Sequence, residues 1–407
     1  MKLSRVALLG MAAAAIAGIS AGLASSASAA PRTDKCAGPI TFGTTISATG
    51  RNSTLADRWV KMTEVFETEF NKDGGIFIKE CNKSLPIKII SYDDQSTPAT
   101  AVTLYERLAT GDNVDFFLGP DWSAVSFAVS QVVERHKIPT VMSNASAANI
   151  WTRGLKYIFG VQSTAEGWSN NYFEMLKGLS PGPKTIFFVA QDNLLTKDVV
   201  AHFSKKAEAQ GIKVIGSEVF SPELKDFTAL ALKLRSAKPD LIYIASYDAP
   251  ALPLIQQMRQ MKVKANGVHE IMTTGKLIRT LGKDAEGLSG ELSWLPGTKG
   301  DYSELIERVL KGSDVDVMDY LWTINRLNAY LVMMQAVERA GTLDRDKVRD
   351  VLDKGTFKSP VGPITFHEGG ISDVPAFTTQ VQDGKAVIVA PPPVAQKPFI
   401  YPSPSWQ

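Results

Sequence analysis

The sequence predicts an α/β protein built as two similar lobes, each a parallel sheet with helices packed against it. Three observations predict this. Short β-rich runs alternate with amphipathic stretches of helical period. The strand runs are apolar on both faces, as strands buried inside parallel sheets must be. The alternation then starts afresh after a break at 159–163. With 407 residues, 44% of them hydrophobic, the chain is long enough for two or more packed domains.

Taken in order, residues 40–44 read as a strand, and 56–72 as a helix with Trp59, Met62, Val65, Phe66 and Phe70 on one stripe. A strand at 87–91 and a helix at 97–110 follow, the helix turning Val102, Tyr105 and Leu108 inward. Then come a strand at 116–118, a helix at 123–135 and a strand at 140–142. Beyond 157–161 the series repeats. Strands are expected at 185–190, 213–220 and 241–246, and helices at 197–210, 227–236 and 249–261. A further helix is expected at 319–340 on the stripe Leu321, Ile324, Leu327, Leu331 and Met334. The tail carries Pro391-Pro392-Pro393, Pro398, Pro402 and Pro404 and is expected to lie extended against the surface. No short-period repeat is present, which excludes a solenoid.

The N-terminus pairs Lys2 and Arg5 with an apolar run at 6–19 and then Ala27-Ser28-Ala29-Ala30-Pro31. This is the three-part pattern of a secretory signal peptide, residues 1–29, cleaved after Ala29. The run is too short, and too diluted by Gly and Ser, for the roughly 20 residues a membrane anchor needs. No Cys follows it, which disfavours a lipid anchor. Lys and Arg number 44 against 42 Asp and Glu, and removing Lys2 and Arg5 balances the charge. Nothing then drives the mature chain toward nucleic acid or an anionic membrane.

Export makes the two cysteines readable. Cys36 precedes the first strand run and Cys81 the second. If those strands are adjacent and parallel, both cysteines lie at one end of the sheet within reach of a disulfide. The alternative is two buried free thiols.

Enzyme motifs are missing: no Gly-x-Gly-x-x-Gly, P-loop, Gly-x-Ser-x-Gly elbow or His-Glu-x-x-His occurs. His136, His202, His269 and His367 are never at metal-pair spacing, so neither a metal nor a cofactor is implied. His136, at a helix end, and His202, on a charged helix, read as solvated. Asp93-Asp94 could imitate a glycosidase pair, but adjacent acids at a strand end more often hold a loop.

In parallel α/β sheets a ligand sits at the carboxyl ends of the strands. Three exits stand out. Gly119-Pro120-Asp121-Trp122-Ser123-Ala124 turns into a helix, where the Ser123 hydroxyl and a free N–H suit a carboxylate. Ser123 could equally cap its own helix. Ser143-Asn144-Ala145-Ser146-Ala147 offers small residues that let a ligand approach the backbone. In the second series the exit is Tyr247-Asp248.

The chain resembles the type I periplasmic solute-binding proteins of the leucine/isoleucine/valine-binding branch over roughly residues 40–387. The likeness rests on several short pieces in order and spacing. In the first half they are Ile46-Ser47-Ala48-Thr49-Gly50, Asp93-Asp94 with Pro98 and Ala101, Gly119 with Ser123, and Ile138-Pro139 with Ser146. Lys225-Asp226-Phe227 with Leu230, then Lys238-Pro239-Asp240-Leu241-Ile242-Tyr243, carry it into the second. Asp284-Ala285-Glu286-Gly287 and Ser359-Pro360-Val361-Gly362-Pro363-Ile364-Thr365-Phe366 complete it.

The resemblance implies two Rossmann-like lobes joined by a three-strand hinge: 37–160 with 294–371, and 161–293 with 372–390, followed by the tail 391–407. It implies that Ser123 holds an α-carboxylate, that Asn144 (through its backbone) and Ser146 hold carboxylate and ammonium, that Tyr247 covers the ligand, and that Glu270 pairs with the ammonium. It further implies a monomer in the periplasm, delivering an amino acid of branched-chain or aromatic type to an ABC permease, with no catalysis. Three departures leave the side-chain pocket open. Family aromatics are replaced near Leu55 and at Leu195-Thr196, and Trp122 stands where a small residue is usual. Trp122 would either stack on a flat ligand or plug the crevice floor. A variant of the first reading keeps the fold but binds an aromatic carboxylate, a keto acid or an amide, and from another class comes a sensory module presenting a ligand to a membrane receptor. An exported hydrolase is the reading least supported.

Overall fold

Strands apolar on both faces need helices above and below, and the computed structural model, which describes residues 34–294, 300–374 and 376–407, supplies them twice. The signal segment 1–29 and its cleavage lie outside the described residues. The first sheet holds β1 (Ile40–Ile46), β2 (Ile87–Asp93), β3 (Phe116–Leu118), β4 (Thr140–Met142) and β5 (Ile158–Gly160). All are parallel, in the order β2-β1-β3-β4-β5. The register of β1 on β2 sets Ile40 opposite Ile87. That alignment brings Cys36 and Cys81 together in a disulfide with a Cα–Cα distance of 5.5 Å.

The second sheet holds β6 (Thr185–Gln191), β7 (Lys213–Phe220), β8 (Leu241–Ala245), β9 (Gly267–Glu270), β10 (Leu288–Leu292), β11 (Phe377–Gln382) and β12 (Lys385–Ala390). Its order is β12-β11-β10-β9-β8-β6-β7, and β11 runs antiparallel to both its neighbours, β10 and β12. Between β10 and β11 the chain returns to the first lobe as three helices, Ser303–Ser313, Thr323–Ala340 and Arg345–Lys354. It therefore passes between the lobes three times: after β5, after β10 and before β11. Backbone bonds tie the first and third passages together, Ser372 N–H to Gly160 O at 3.0 Å and Ser163 N–H to Val374 O at 3.3 Å.

Several sequence expectations are corrected. The helix expected from residue 197 begins at Leu194, because the Asn193 side chain caps it by accepting the Thr196 N–H at 3.0 Å. The helix expected at 319–340 starts at Thr323 and is not merely striped, since every residue from Thr323 to Val337 is buried. Such a helix can carry Arg326 because Asp121, Thr44, Thr45 and Tyr330 meet its guanidinium inside. His136 is not solvated: it is 5% exposed, and its ring bonds Glu106 Oε2 at 2.7 Å. Burial lowers its pKa, assisted by Arg135. His202 is half-buried, with Nδ1 on Asp198 O at 2.9 Å. The tail does more than lie extended. Short 3-10 turns at Pro392–Val394 and Pro404–Trp406 punctuate it, and Trp406 is buried in the second lobe with the Arg259 guanidinium 3.4 Å from its ring centre.

Candidate functional site

The first-lobe strand exits rest on a buried polar framework. Asp94 accepts from Thr45 Oγ1 at 2.7 Å, Ser47 Oγ at 2.6 Å and Ser96 N–H at 2.9 Å, while Asp93 accepts from Thr49 and from Gln95 N–H. The two acids therefore hold loops. Asp121 accepts from Arg326 Nη1 at 2.5 Å, Ser143 Oγ at 2.9 Å and Asn144 Nδ2 at 3.2 Å. Arg326 also donates to Thr44, to the carbonyl of Thr45 and to Tyr330. A guanidinium with five donors in a fixed fork suits such a hub.

On this framework sits Trp122, whose φ of +65° is unusual for a bulky residue. A strained backbone of this kind persists only where its surroundings fix it. Here the indole N–H donates to Ser47 Oγ at 2.8 Å, and the ring stacks on Trp59 with centroids 6.1 Å apart. Across the cleft it meets Tyr247 of the second lobe at 5.4 Å. Ser123, next in sequence, does not cap its helix; its hydroxyl accepts the Ala147 N–H at 3.2 Å. The exit of β4 thus folds against the exit of β3. Asn144 Oδ1 accepts from Asn325 Nδ2 at 3.1 Å, Ala145 O accepts from the Trp151 indole at 2.7 Å, and the buried Ser146 hydroxyl makes no hydrogen bond to protein. Leu55 and Leu195 are seated in the main apolar cluster.

From the second lobe, Tyr247 is fixed by its N–H on Gln191 Oε1 at 3.0 Å, and burial raises its hydroxyl pKa. Glu270 ends β9 fully buried. One carboxyl oxygen accepts the Met272 N–H at 2.7 Å; the other has no hydrogen-bond partner. Burial pushes its pKa well up; the Met272 N–H opposes this, and the like charges of Asp248 and Glu291 add to it.

The lobes are in contact on both sides of this constellation. Ala148 N–H donates to Asp198 Oδ2 at 2.8 Å, and Lys276 Nζ donates to Thr54 O at 3.2 Å. Sequence reasoning missed Trp168 and Asn325, which lie on helices, and Trp322, which immediately precedes one; none lies at a strand exit. Trp168 stacks on Trp322 at 4.9 Å, and the Trp322 indole reaches Met272 Sδ at 3.2 Å. Among the described residues no cluster of His, Cys, Asp and Glu could hold a metal, and no helix is long and apolar enough to cross a membrane. A cavity of about 200 Å³ opens beside Tyr247, Arg51 and Gln191. A larger one of about 640 Å³ lies by the first passage, against Ser163, Asn170 and Lys206, and does not include Trp122, Ser123 or Glu270.

Residues 39–386 match the family model described as periplasmic binding protein. The chain belongs to the periplasmic binding protein family. Members of this family bind solutes and are not enzymes. This binding protein is 23% identical over 356 residues to the Leu/Ile/Val-binding protein BraC3 of Rhizobium johnstonii, covering 86% of this chain and 94% of that one. It is 26% identical to the leucine-, isoleucine-, valine-, threonine- and alanine-binding protein of Pseudomonas aeruginosa, covering 74% and 79%. Among solved structures, a leucine-binding protein from Thermotoga maritima superposes with a TM-score of 0.76 at 19% identity, covering 86% of this chain and 98% of that one. A solute-binding protein of an ABC transporter from R. palustris, in complex with benzoate, gives 0.73 at 18%, covering 87% and 96%. These likenesses show the type I fold of two parallel-sheet lobes.

Proposed function

We propose that this binding protein is the periplasmic component of an ABC importer and encloses an α-amino acid, of branched-chain or aromatic type, between its two lobes. The observation that carries the reading is Glu270, a buried carboxyl with one oxygen open and only acids bearing on its charge. A buried acid of this kind is costly until a cation meets it, and an α-ammonium supplies one. The opposite lobe contributes the complementary end. Ser123 and the segment Asn144-Ala145-Ser146 would take the carboxylate, and Tyr247 with Trp122 would cover the ligand. Leu55 and Leu195 shape the side-chain space from within the apolar cluster. Closure around a desolvated ligand supplies affinity without chemistry. The relatives named for Leu/Ile/Val binding support the same class. We further infer export by the N-terminal signal, delivery to an inner-membrane permease, and a monomeric state.

A second reading, in which the ligand is an aromatic carboxylate, is favoured by one observation: the stacked Trp59 and Trp122 beside Tyr247. The benzoate complex of the R. palustris neighbour is its parallel.

A thermal-shift screen of the mature protein against amino acids, aromatic acids, keto acids and amides tests both. A ligand at about 1,000 times its Kd adds roughly 4 kcal/mol, several degrees in Tm. Hits among α-amino acids that vanish in Glu270→Gln support the first reading. Hits confined to acids without an amine, unaffected by that substitution, overturn it in favour of the second.

A further inference from the structure

Among the described residues, the buried polar atoms that make no hydrogen bond to protein include Ser146 Oγ, both amide atoms of Gln162, Trp168 Nε1, Asn325 Oδ1 and Glu270 Oε1. Contacts string their residues into one ring. Ser146 O accepts the Ala165 N–H at 2.6 Å, and Ala165 shares a short helix with Trp168. Trp168 stacks on Trp322, and Asn325 lies one helical turn beyond. Asn325 donates to Asn144 at 3.1 Å, two residues before Ser146, which closes the circuit. Glu270 joins through Met272, whose N–H it accepts and whose sulfur receives the Trp322 indole. Gln162 sits on the first interlobe passage, three residues before Ala165.

Buried polar groups are nearly always paired, and a set left open along one chain of contacts points to a ligand that pairs them. In the amino-acid reading, Ser146 and Glu270 are used by the ligand's head. Gln162, Trp168 and Asn325 are left over. They offer two donors and two acceptors, which an aliphatic side chain would strand. We propose that the ligand's side chain carries a hydroxyl or carboxamide, read by the Gln162 amide and the Trp168 indole N–H at the hinge end of the cleft. The proposal rests on the amino-acid reading and narrows it, from any branched or aromatic skeleton to one bearing a hydrogen-bonding group. A site built to bond such a group rejects the analogue without it, because its own polar atoms are then stranded.

The test is calorimetric titration of the mature protein with near-isosteric pairs: valine and threonine, leucine and asparagine, phenylalanine and tyrosine. The expected result is that the tightest ligand is a polar member and exceeds its apolar partner by about tenfold or more. Gln162→Leu and Trp168→Phe, which keep bulk and stacking, should each cut that preference about tenfold while leaving the apolar partner's affinity within a few-fold. Valine, leucine and phenylalanine binding as well as or better than their partners would overturn this inference and leave the amino-acid reading standing. A polar preference undiminished in both variants would remove Gln162 and Trp168 from the role. Binding of no amino acid at all would overturn the amino-acid reading, and this inference with it.

Discussion

Arg326 and Asp121 form an ion pair in which neither side chain has any solvent exposure, directly beneath the exits that carry Trp122 and Asn144. Arg326 comes from the helix that returns from the second passage, and Asp121 from the turn after β3. The pair therefore fastens the late part of the first lobe to its early part.

Removing one partner leaves a buried charge uncompensated. Arg326→Met should lower unfolding free energy by about 3–5 kcal/mol, read by urea denaturation at neutral pH. Arg326→Lys should recover only part of this, because an ammonium cannot reach Asp121, Thr44 and Tyr330 from one fixed fork. Equal stability of the lysine variant and wild type would remove the fork from the explanation.

Glu270 makes ligand binding pH-dependent with a definite sign. Its folded pKa is raised by burial, so without ligand its contribution to stability is full below the ordinary carboxylate range. That contribution is lost as pH rises through the folded value. An ammonium ligand needs the ionised form, so affinity for an α-amino acid should climb with pH, by up to tenfold per unit below that folded value, and then level off. Glu270→Gln should flatten the profile and weaken binding. Calorimetry between pH 5 and 8 on both proteins checks this; a flat profile in wild type would rule out an ionised Glu270 partner for the amine.

Cys36 and Cys81 are 45 residues apart in sequence. In the chain-entropy model, closing a loop of that length stabilises by roughly 4 kcal/mol. The double Cys→Ser variant should lose a comparable amount in denaturant unfolding, with little change in ligand affinity, since the bridge lies at the strand starts and the candidate site at the strand ends. A large loss of affinity at unchanged stability would contradict that separation.

The Ala148–Asp198 bond joins the two lobes through one backbone N–H and one carboxylate. Asp198→Ala should shift the ligand-free protein toward an open arrangement, seen as a larger radius of gyration by X-ray scattering. It should also speed ligand release several-fold, since such changes fall mainly on the off-rate. Identical scattering curves for the two proteins would show that the bond does not hold the lobes together.

Much of the architecture could be read from the residues because buried parallel strands are short, apolar runs. The strands around Phe116-Phe117-Leu118 and Thr185–Gln191 needed nothing else. The strands Gly267–Glu270 and Leu288–Leu292 escaped because Gly, His, Ser and Glu interrupt them. These side chains are tolerated only through tertiary partners such as His269 with Ser289. At the candidate site, Trp122 and Tyr247 follow strand ends and could be picked out, and the structure places their rings together. Trp168, Trp322, Asn325 and Gln162 carry no such positional mark. Trp168 on Trp322 and Asn325 on Asn144 are contacts between segments more than a hundred residues apart, and the Gln162 side chain is marked only by its burial without a partner, neither of which periodicity can encode.

The threefold passage between lobes also governs when each lobe can exist. The first sheet is complete at Gly160, but its buried helix Thr323–Ala340, with Arg326, arrives some 160 residues later. The second sheet lacks β11 and β12 until Ala390, and Trp406 until the last residues. Neither lobe is therefore a contiguous stretch of chain holding all of its own contacts: the native packing of each depends on residues that arrive late in the sequence.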